Sequence, residues 1–332
     1  MAAIGDAAPT LLDIAKMVDP NGRLAQVVNL MKQRSAIVED ATWMEGNMPT
    51  GHRVTSMVGL PSPTWNRVNK GVATGKHKNA QYDEACGLLE AASEVDARLQ
   101  DIYGGDKFAA YRAQMDAAHQ LSMVQELETA LFYHSTALTP ERINGRTPRY
   151  DVTTAESGGS QIIKADAAPS GSDQTSAWYV SWGPEATSCI YPSGSDGGLK
   201  SKDMGLVELE DVSGAKYPGF KTYHSWKPGL VVADYRQNVR VCNIDTSALS
   251  ASGTNIVEAL VKGYWQIQNP NVGKLRLYMN RTLATFLHLQ ARSQGINNPA
   301  VVTSIEGKPV MTFLGVPVRI TDSILSTEAI VS

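Results

Sequence analysis

The chain has 332 residues, 42% of them hydrophobic, and a formal net charge of −3 at pH 7. This length and apolar content allow a large buried core, which argues against an intrinsically disordered protein. The slightly negative charge argues against a dedicated nucleic-acid-binding protein, whose domains are usually strongly basic.

Cysteine usage and the N-terminus indicate the compartment in which the chain folds. Cys86, Cys189 and Cys242 are odd in number and widely spaced, which predicts neither a disulfide framework nor a zinc site. They indicate a reducing cytoplasm. No secretory signal is expected, because Asp6 and Asp13 interrupt any apolar run, and no stretch has the roughly 18–20 apolar residues that span a bilayer. We therefore expect no membrane partner.

Two short amphipathic helices are predicted near the N-terminus, over residues 9–19 and 22–33. In the second, apolar residues recur at i, i+3, i+4 and i+7 from Leu24. Helices of this length are not stable alone, so they must lie on the body of the protein or on a neighbouring molecule.

The stretch 46–82 is punctuated by glycine and proline with β-favouring residues between them, which predicts a long β-hairpin or extended loop. It contains no acidic residue, and its basic residues are Arg53, Arg67, Lys70, Lys76 and Lys78. The next stretch, 83–106, reverses this pattern, with seven acidic residues and Arg98 as its one basic residue. This change of sign indicates two complementary surfaces, although two independently solvated surfaces would give the same pattern.

Two helices are predicted after the hairpin. Propensity favours a helix over 83–103, although a strand followed by a short helix also fits. After Gly104-Gly105, Asp106 is expected to cap a long helix that reaches about Tyr133, because apolar residues then recur every three or four positions. At 1.5 Å per residue this helix is roughly 40 Å long, a length that suits a spine beneath a sheet.

The remainder of the chain is predicted to be mostly β-structure. Residues 140–173 are expected to form loops with one short strand or helix. Strands are predicted over 177–182, 188–191, 205–209, 220–226 and 230–244. They are followed by a helix over 254–268, a strand over 274–279, a helix over 281–292, and a strand pair over 308–320 that turns at Gly315.

No pattern of catalytic residues is found. Residues 71–77 fall short of a phosphate-binding loop, because only three residues separate Gly71 from Gly75 and His77 stands where a hydroxyl is needed. No two of the six histidines have the spacing of metal ligands. We therefore expect no enzymatic activity, no cofactor and no metal.

The last predicted strands carry a recognisable pattern. The run from Gly307 through Leu314-Gly-Val-Pro-Val318, followed by Thr321-Asp-Ser323, resembles the leucine-glycine-x-proline-valine segment of tailed-bacteriophage major capsid proteins. Leu277-Tyr-Met-Asn280 and the helix after it are similar to the elements that precede this segment in that family. Further similar stretches are Asn47–Arg53, Gly59-Leu-Pro61, Trp65, Asp83–Gly87, Pro148-Arg-Tyr150, Gln161–Asp166, Trp182-Gly-Pro184 and Tyr191-Pro192. Their order over nearly the whole chain resembles the capsid proteins of podoviruses and related phages.

The resemblance implies the α+β Hong Kong 97-type capsid fold. It implies an N-terminal arm (1–45), an extended loop (46–80), a peripheral domain (81–160) with a spine helix (106–134), and an axial domain with returning peripheral strands (161–332). In many family members another long β pair follows the segment that ends at Val318. Here a β-rich block lies earlier, at 177–245, which suggests a permuted element order.

The resemblance also implies a structural protein that assembles through pentamers and hexamers into an icosahedral shell around a phage genome. The expected partners are further copies of the chain, scaffold, portal and cement proteins, and double-stranded DNA bound on the inner face without sequence specificity. The expected location is the virion, after assembly in the host cytoplasm.

In such a shell we expect the extended loop to lie on a neighbouring subunit, because it has too little apolar content to bury itself. Its basic residues would then face the acidic stretch 83–106 of that neighbour. The residues expected at this contact are Arg53, Trp65, Arg67, Lys70, Lys76, Lys78, Asp83, Glu84, Glu90 and Glu94.

Two other functions also fit the sequence. The first is a shell of the same fold that encloses cargo in a bacterial compartment. The second is a β-rich hydrolase or carbohydrate-binding protein centred on 177–245, in which Trp178, Trp182, Tyr191 and Trp226 would stack on sugar. The alternative role of these four aromatic residues is packing in the core or at an interface.

Overall fold

The structure is a computed structural model that describes residues 35–153, 158–166, 169, 171–211, 213–249, 255–293, 300–305 and 308–332. The two predicted N-terminal helices lie outside the described residues. The chain divides into two compact units. The smaller unit contains Leu88–Leu127 and Gly197–Lys227, and the larger unit contains Ala36–Gly87, Glu128–Asp196 and Pro228–Ser332.

The described residues form short helices, one long helix and many strands. The α-helices are α1 Ala36–Asp40, α2 Arg98–Tyr103, α3 Gly105–Tyr133, α4 Ile256–Gln266 and α5 Arg281–Ser293. The strands are β1 Trp43–Glu45, β2 Gly51–Gly59, β3 Lys78–Ala85, β4 Leu89–Asp96, β5 Ile162–Lys164, β6 Gln174–Trp182, β7 Thr187–Tyr191, β8 Lys200–Glu210, β9 Lys216–Trp226, β10 Gly229–Val232, β11 Asn238–Asp245, β12 Lys274–Met279, β13 Ala300–Ile305, β14 Lys308–Phe313 and β15 Val316–Ile320.

In the smaller unit, a three-stranded antiparallel sheet in the order β4-β9-β8 packs against α3. Side chains alternate along β4, as the pleat of a strand requires. Val95 on one face packs with Phe108 and Tyr111 of the helix, and Ser93 on the same face donates a hydrogen bond to Asp116. The acidic residues of β4 therefore fall on the opposite face of the sheet.

Strand β8, at the edge of this sheet, is interrupted by a bulge. Its register with β9 shifts between Asp203 and Leu206. Gly205 lies in the bulge with φ +74°, a conformation that glycine adopts without steric cost, and its amide donates to Asp203 Oδ1 at 2.9 Å. The bulge divides β8 into two shorter runs.

In the larger unit, ten strands form one sheet with β6 at its centre. Strand β6 pairs antiparallel with β11 on one side and β12 on the other, and all nine of its residues are buried. Tyr179 belongs to a core with apolar residues of α4 and α5, including Leu260 and Leu283. Trp178, whose side chain points to the other face, contacts the rings of Phe132 and Tyr150.

Two buried carboxylates tie distant parts of the larger unit together. Glu328, near the C-terminus, accepts hydrogen bonds from Arg240 Nη2 at 2.7 Å, Tyr133 Oη at 2.5 Å and the Ser176 hydroxyl. Removing one partner of such a buried pair leaves the other uncompensated, which is costly.

Asp40, at the end of α1, anchors the start of the described chain. Its carboxylate accepts from Arg319 Nε at 2.8 Å and Nη2 at 2.7 Å, from Arg276 Nε at 3.2 Å and from Tyr278 Oη at 3.1 Å. Helix α1 is too short to be stable alone, so these bonds fix its position on the sheet.

The structure corrects three sequence predictions. The helix favoured over 83–103 is wrong, and the alternative of a strand followed by a short helix is correct, because this stretch forms the end of β3, then β4 and the short α2. Pairing of β4 with β9 overrides the local propensity. The strand predicted over 230–244 is two strands, β10 and β11, separated by a turn that Asp234 caps with a bond from Arg236 N at 3.0 Å. Strand β13 was not predicted.

Other predictions are confirmed. The long helix ends at Tyr133 as predicted, but it starts at Gly105, so Asp106 lies in its first turn and is not its cap. Strand β12 has the predicted bounds, and α4 begins after Asn255, whose side chain accepts from Glu258 N at 3.1 Å. The last strand pair turns at Gly315, where φ is +80°.

Candidate inter-subunit interface

The predicted extended loop contains a β-hairpin. Strands β2 and β3 pair antiparallel from Gly51 opposite Ala85 to Gly59 opposite Lys78. An ion pair joins the two strands, because Arg53 donates to Asp83 through Nε at 2.6 Å and Nη2 at 2.7 Å. These hydrogen bonds hold the pKa of the Asp83 carboxyl below its ordinary value. Two residues predicted for the inter-subunit contact thus bind each other across the hairpin.

The base of the hairpin is built into the larger unit. Val54 is buried in a small core with Ile190 and Val231. Tyr82 donates a hydrogen bond to the Val232 carbonyl at 2.5 Å, and Asn47 brackets Arg53 with bonds to its backbone N–H and C=O. This end of the hairpin therefore has a fixed position.

Glu84 also belongs to the base. Its carboxylate is buried and receives a bidentate bond from Arg149, of which the Nη2–Oε2 distance is 2.7 Å. Arg149 additionally donates to the carbonyls of Asn144 and Gly145, each at 3.0 Å. Burial lowers the pKa of Arg149, but its contact with Glu84 outweighs this and leaves the pKa above its ordinary value. Glu84 is satisfied within its own chain, which argues against its predicted place in the contact between subunits.

Beyond the base, the hairpin exposes large apolar side chains. Trp65 is 104% exposed, Val68 89%, Leu60 80% and Val72 69%. Monomeric proteins rarely leave such side chains grouped in water, and a grouped set marks an interaction site. Trp65 is one of the residues predicted at the contact between subunits.

The remaining basic residues of the hairpin lie in the same segment as these apolar side chains. Arg67, Lys70, Lys76 and Lys78 are all exposed, and no carboxylate of the described residues pairs with them. A turn orders the tip, where the Asn66 side chain donates to the Lys70 carbonyl at 2.8 Å. The distal hairpin, here defined as residues 57–78, is thus an apolar and basic surface.

Two of the predicted acidic residues lie on β4 of the smaller unit. Glu90 and Glu94 point to the sheet face opposite α3, as their alternation with Ser93 and Val95 requires. Glu90 is exposed and accepts a hydrogen bond from Tyr223, and Glu94 binds Lys221 Nζ at 2.7 Å. We call this the acidic face. The acidic face belongs to the smaller unit, and the distal hairpin belongs to the larger unit.

Sequence reasoning missed the residues that position the hairpin, namely Asn47, Tyr82 and Arg149. Each acts through a contact that only the folded chain creates. A single sequence holds no signal for the pairing of Glu84 with Arg149, although both lie in stretches that carried the family resemblance.

A grouping of serine, histidine and aspartate in the smaller unit does not form a catalytic triad. The imidazole of His224 is fully buried, with Nδ1 at 2.7 Å from Ser201 Oγ and Nε2 at 3.6 Å from Asp116 Oδ1. The second distance is longer than a hydrogen bond, and a buried imidazole cannot reach a substrate. The group packs β8 and β9 against α3.

The proposed sugar-stacking aromatics are also packing residues. Three of the four, Trp178, Trp182 and Trp226, are buried, which rules out a stacking platform formed by all four side chains. Trp182 Nε1 donates to Tyr278 Oη at 2.8 Å, as expected for an indole inside a core. Among the described residues there is no cluster of three histidine, cysteine or acidic side chains suited to hold a metal.

None of the described helices combines the length and apolar character needed to cross a membrane.

Comparisons with known proteins agree with the resemblance in sequence. A family model described as Major capsid protein GP7 matches residues 19–332. The chain is similar to a chain in the structure of bacteriophage Epsilon15, with 28% identity, a TM-score of 0.76 and 99% of both chains covered. Its fold is similar to the capsid of bacteriophage JBD30, with 11% identity and a TM-score of 0.54, over 89% of this chain and 93% of that one. No match is found among curated proteins.

These matches confirm the Hong Kong 97-type fold and a structural role in the virion. The permuted element order and the boundaries of arm, loop, peripheral domain and axial domain stay predictions. The match over most of the chain favours a viral shell above a bacterial cargo compartment. The chain belongs to the Major capsid protein GP7 family and is a structural subunit of a bacteriophage capsid.

Proposed function

We propose that copies of this chain assemble through pentamers and hexamers into an icosahedral shell around double-stranded DNA, held together by the distal hairpin of one copy lying on the acidic face of the next. The observation that carries the proposal is the distal hairpin itself, in which Trp65, Leu60 and Val68 are exposed. The same segment carries Arg67, Lys70, Lys76 and Lys78, which have no carboxylate partner among the described residues.

Apolar burial supplies most of the affinity in this contact. A buried aromatic side chain removes about 150–250 Å² from water. At about 25 cal/mol per Å², Trp65 alone then contributes several kcal/mol. An exposed ion pair contributes about 0–1 kcal/mol, so the basic residues steer the hairpin and set its register.

The acidic face offers the matching surface. Glu90 and Glu94 are four residues apart on β4 and point to the same face of the sheet. On the paired strand they lie beside Tyr223 and the aliphatic part of the Lys221 side chain. A basic apolar hairpin therefore meets both opposite charge and aromatic area there. The contact joins two different patches of the subunit, a head-to-tail arrangement that generates a ring when the rotation between neighbouring copies closes.

The other partners follow from the same proposal. Scaffold protein acts during assembly, portal and cement proteins act on the shell, and DNA lies against the inner surface of the shell without sequence-specific contacts. With a net charge of −3, the chain binds DNA only through local basic patches.

The decisive experiment is negative-stain electron microscopy of the purified chain, together with size-exclusion chromatography. The proposal requires megadalton particles of closed, regular outline, with or without added scaffold. A stable small oligomer under every assembly condition, with Trp65 packed on its own subunit, would rule it out.

Deleting residues 1–33 tests the predicted N-terminal arm. We expect the shell to dissociate at lower denaturant concentration while the thermal unfolding of the subunit stays the same. The subunit keeps its fold because the hydrogen bonds of Asp40 to Arg276 and Arg319 lie after the deletion. Shells of unchanged stability from the truncated chain would contradict a role for the arm.

A further inference from the structure

The hairpin base and the C-terminal end of α3 are joined by one buried ion pair. The last carbonyls of α3 lack partners within the helix and must bond elsewhere. The Leu131 carbonyl accepts from Arg146 N at 3.1 Å, and the His134 carbonyl just after the helix accepts from Gly145 N at 2.8 Å. The segment 145–149, which bonds to the end of the helix in this way, also contains Arg149, the partner of Glu84 on β3.

Arg149 is itself held in a fixed direction. Its Nε and Nη2 donate to the carbonyls of Gly145 and Asn144, and its fork binds both oxygens of Glu84. A bidentate guanidinium–carboxylate pair constrains angle as well as distance. Two residues before Glu84, on the same face of β3, Tyr82 is fixed to the Val232 carbonyl. Two such points on one strand define the direction of the strand.

Small angular errors at the base become large displacements at the tip. Trp65 is 11 residues beyond Val54, a buried residue of β2, and so lies up to about 36 Å from it. A tilt of about 10° at the base then moves the tip by about 6 Å, which exceeds the roughly 4.8 Å spacing between neighbouring strands. A contact that depends on register does not survive such a displacement.

We propose that the Glu84–Arg149 pair is a positioning device, which fixes the direction in which the hairpin leaves its subunit and thereby sets the curvature of the shell. The inference rests on the proposed function, because the direction of the hairpin matters only if it lies on another copy. Glu84 then acts inside its own subunit, in place of the contact between subunits that the sequence suggested.

Arg149→Lys tests the proposal, since lysine keeps the charge but cannot make the bidentate bond. We expect folded subunits that still associate but give particles with at least twice the spread in diameter, including open sheets or tubes. The matched control is Arg53→Lys, the same change in a pair that joins β2 to β3 and does not reach the body. The control is expected to give particles as uniform as those of the unaltered chain.

A second variant, Glu84→Gln with Arg149→Met, removes both charges together and avoids leaving one buried alone. Hydrogen exchange is measured on both variants. The proposal requires faster exchange of the β3 amides with unchanged protection of β6.

Uniform particles of normal diameter from both variants would overturn the positioning role. Loss of protection throughout the large sheet would also overturn it, since the pair would then be a general stabiliser. Failure of the unaltered chain to form any particle would instead count against the proposed function.

Discussion

Reversing three charges on the distal hairpin, in the variant Arg67→Glu with Lys70→Glu and Lys76→Glu, is expected to abolish shell assembly and leave the subunit folded. All three side chains are exposed and lie outside the buried core, so their replacement removes no packing. In the shell the new glutamates would face Glu90 and Glu94 of a neighbouring subunit. The repulsion between these like charges would prevent the hairpin from docking in the correct register. Electron microscopy and circular dichroism of the purified variant measure the two effects.

A control variant with the same net charge distinguishes an effect of the hairpin site from an effect of total charge. Lys164, Lys227 and Lys274 are exposed and lie outside the hairpin. Reversing them changes the net charge of −3 by two units each, to −9, as the hairpin variant does. Shells from this control and none from the hairpin variant would support the contact. Well-formed but empty shells from the hairpin variant would instead place its basic residues against DNA.

Glu328→Gln is expected to produce the largest loss of subunit stability. The substitution leaves Arg240 buried without its carboxylate and weakens the bonds from Tyr133 and Ser176. Breaking a buried ion pair from one side costs about 3–5 kcal/mol. For a chain of this size we expect the Tm of the unassembled subunit to fall by roughly 10 °C.

The matched control is Glu208→Gln, in which the carboxylate is 62% exposed and lies 3.4 Å from Lys216 Nζ. An exposed pair of this kind contributes about 0–1 kcal/mol, so the Tm should barely change. Equal Tm values for the two variants would show that the interior tolerates an unpaired Arg240 and that the network of Glu328 adds little.

Elements with strong local signals could be predicted from the sequence. The hairpin follows from glycine and proline punctuation and from a stretch without acids, and α3 follows from a sustained apolar repeat. The order of motifs up to Val318 indicated the family. These signals depend on residues close together in the sequence or on the order of motifs along it, so they can be recognised without knowing the contacts between distant residues.

Features created by distant partners could not be predicted. In the stretch that contains β4, propensity favoured a helix while a strand followed by a short helix also fitted, and only the pairing with β9, far along the chain, decides for the strand. In the sequence Glu84 has the character of a surface acid, and nothing near it indicates its pairing with Arg149. Likewise, no local pattern indicates that Asp40 binds Arg276 and Arg319. Such pairings depend on three-dimensional proximity, which one sequence does not encode in any local pattern.

The bulge at Gly205 also affects how the free subunit, before it enters a shell, can pair with other copies of the chain. A straight strand at the border of a sheet offers its free amides and carbonyls to any identical molecule, and aggregates grow from such encounters. In β8 the left-handed glycine breaks that ladder, and Lys200 and Lys202 add charge to one of the two remaining runs. The bulge and these charges therefore make the free edge of β8 a poor template for pairing with another copy of the chain.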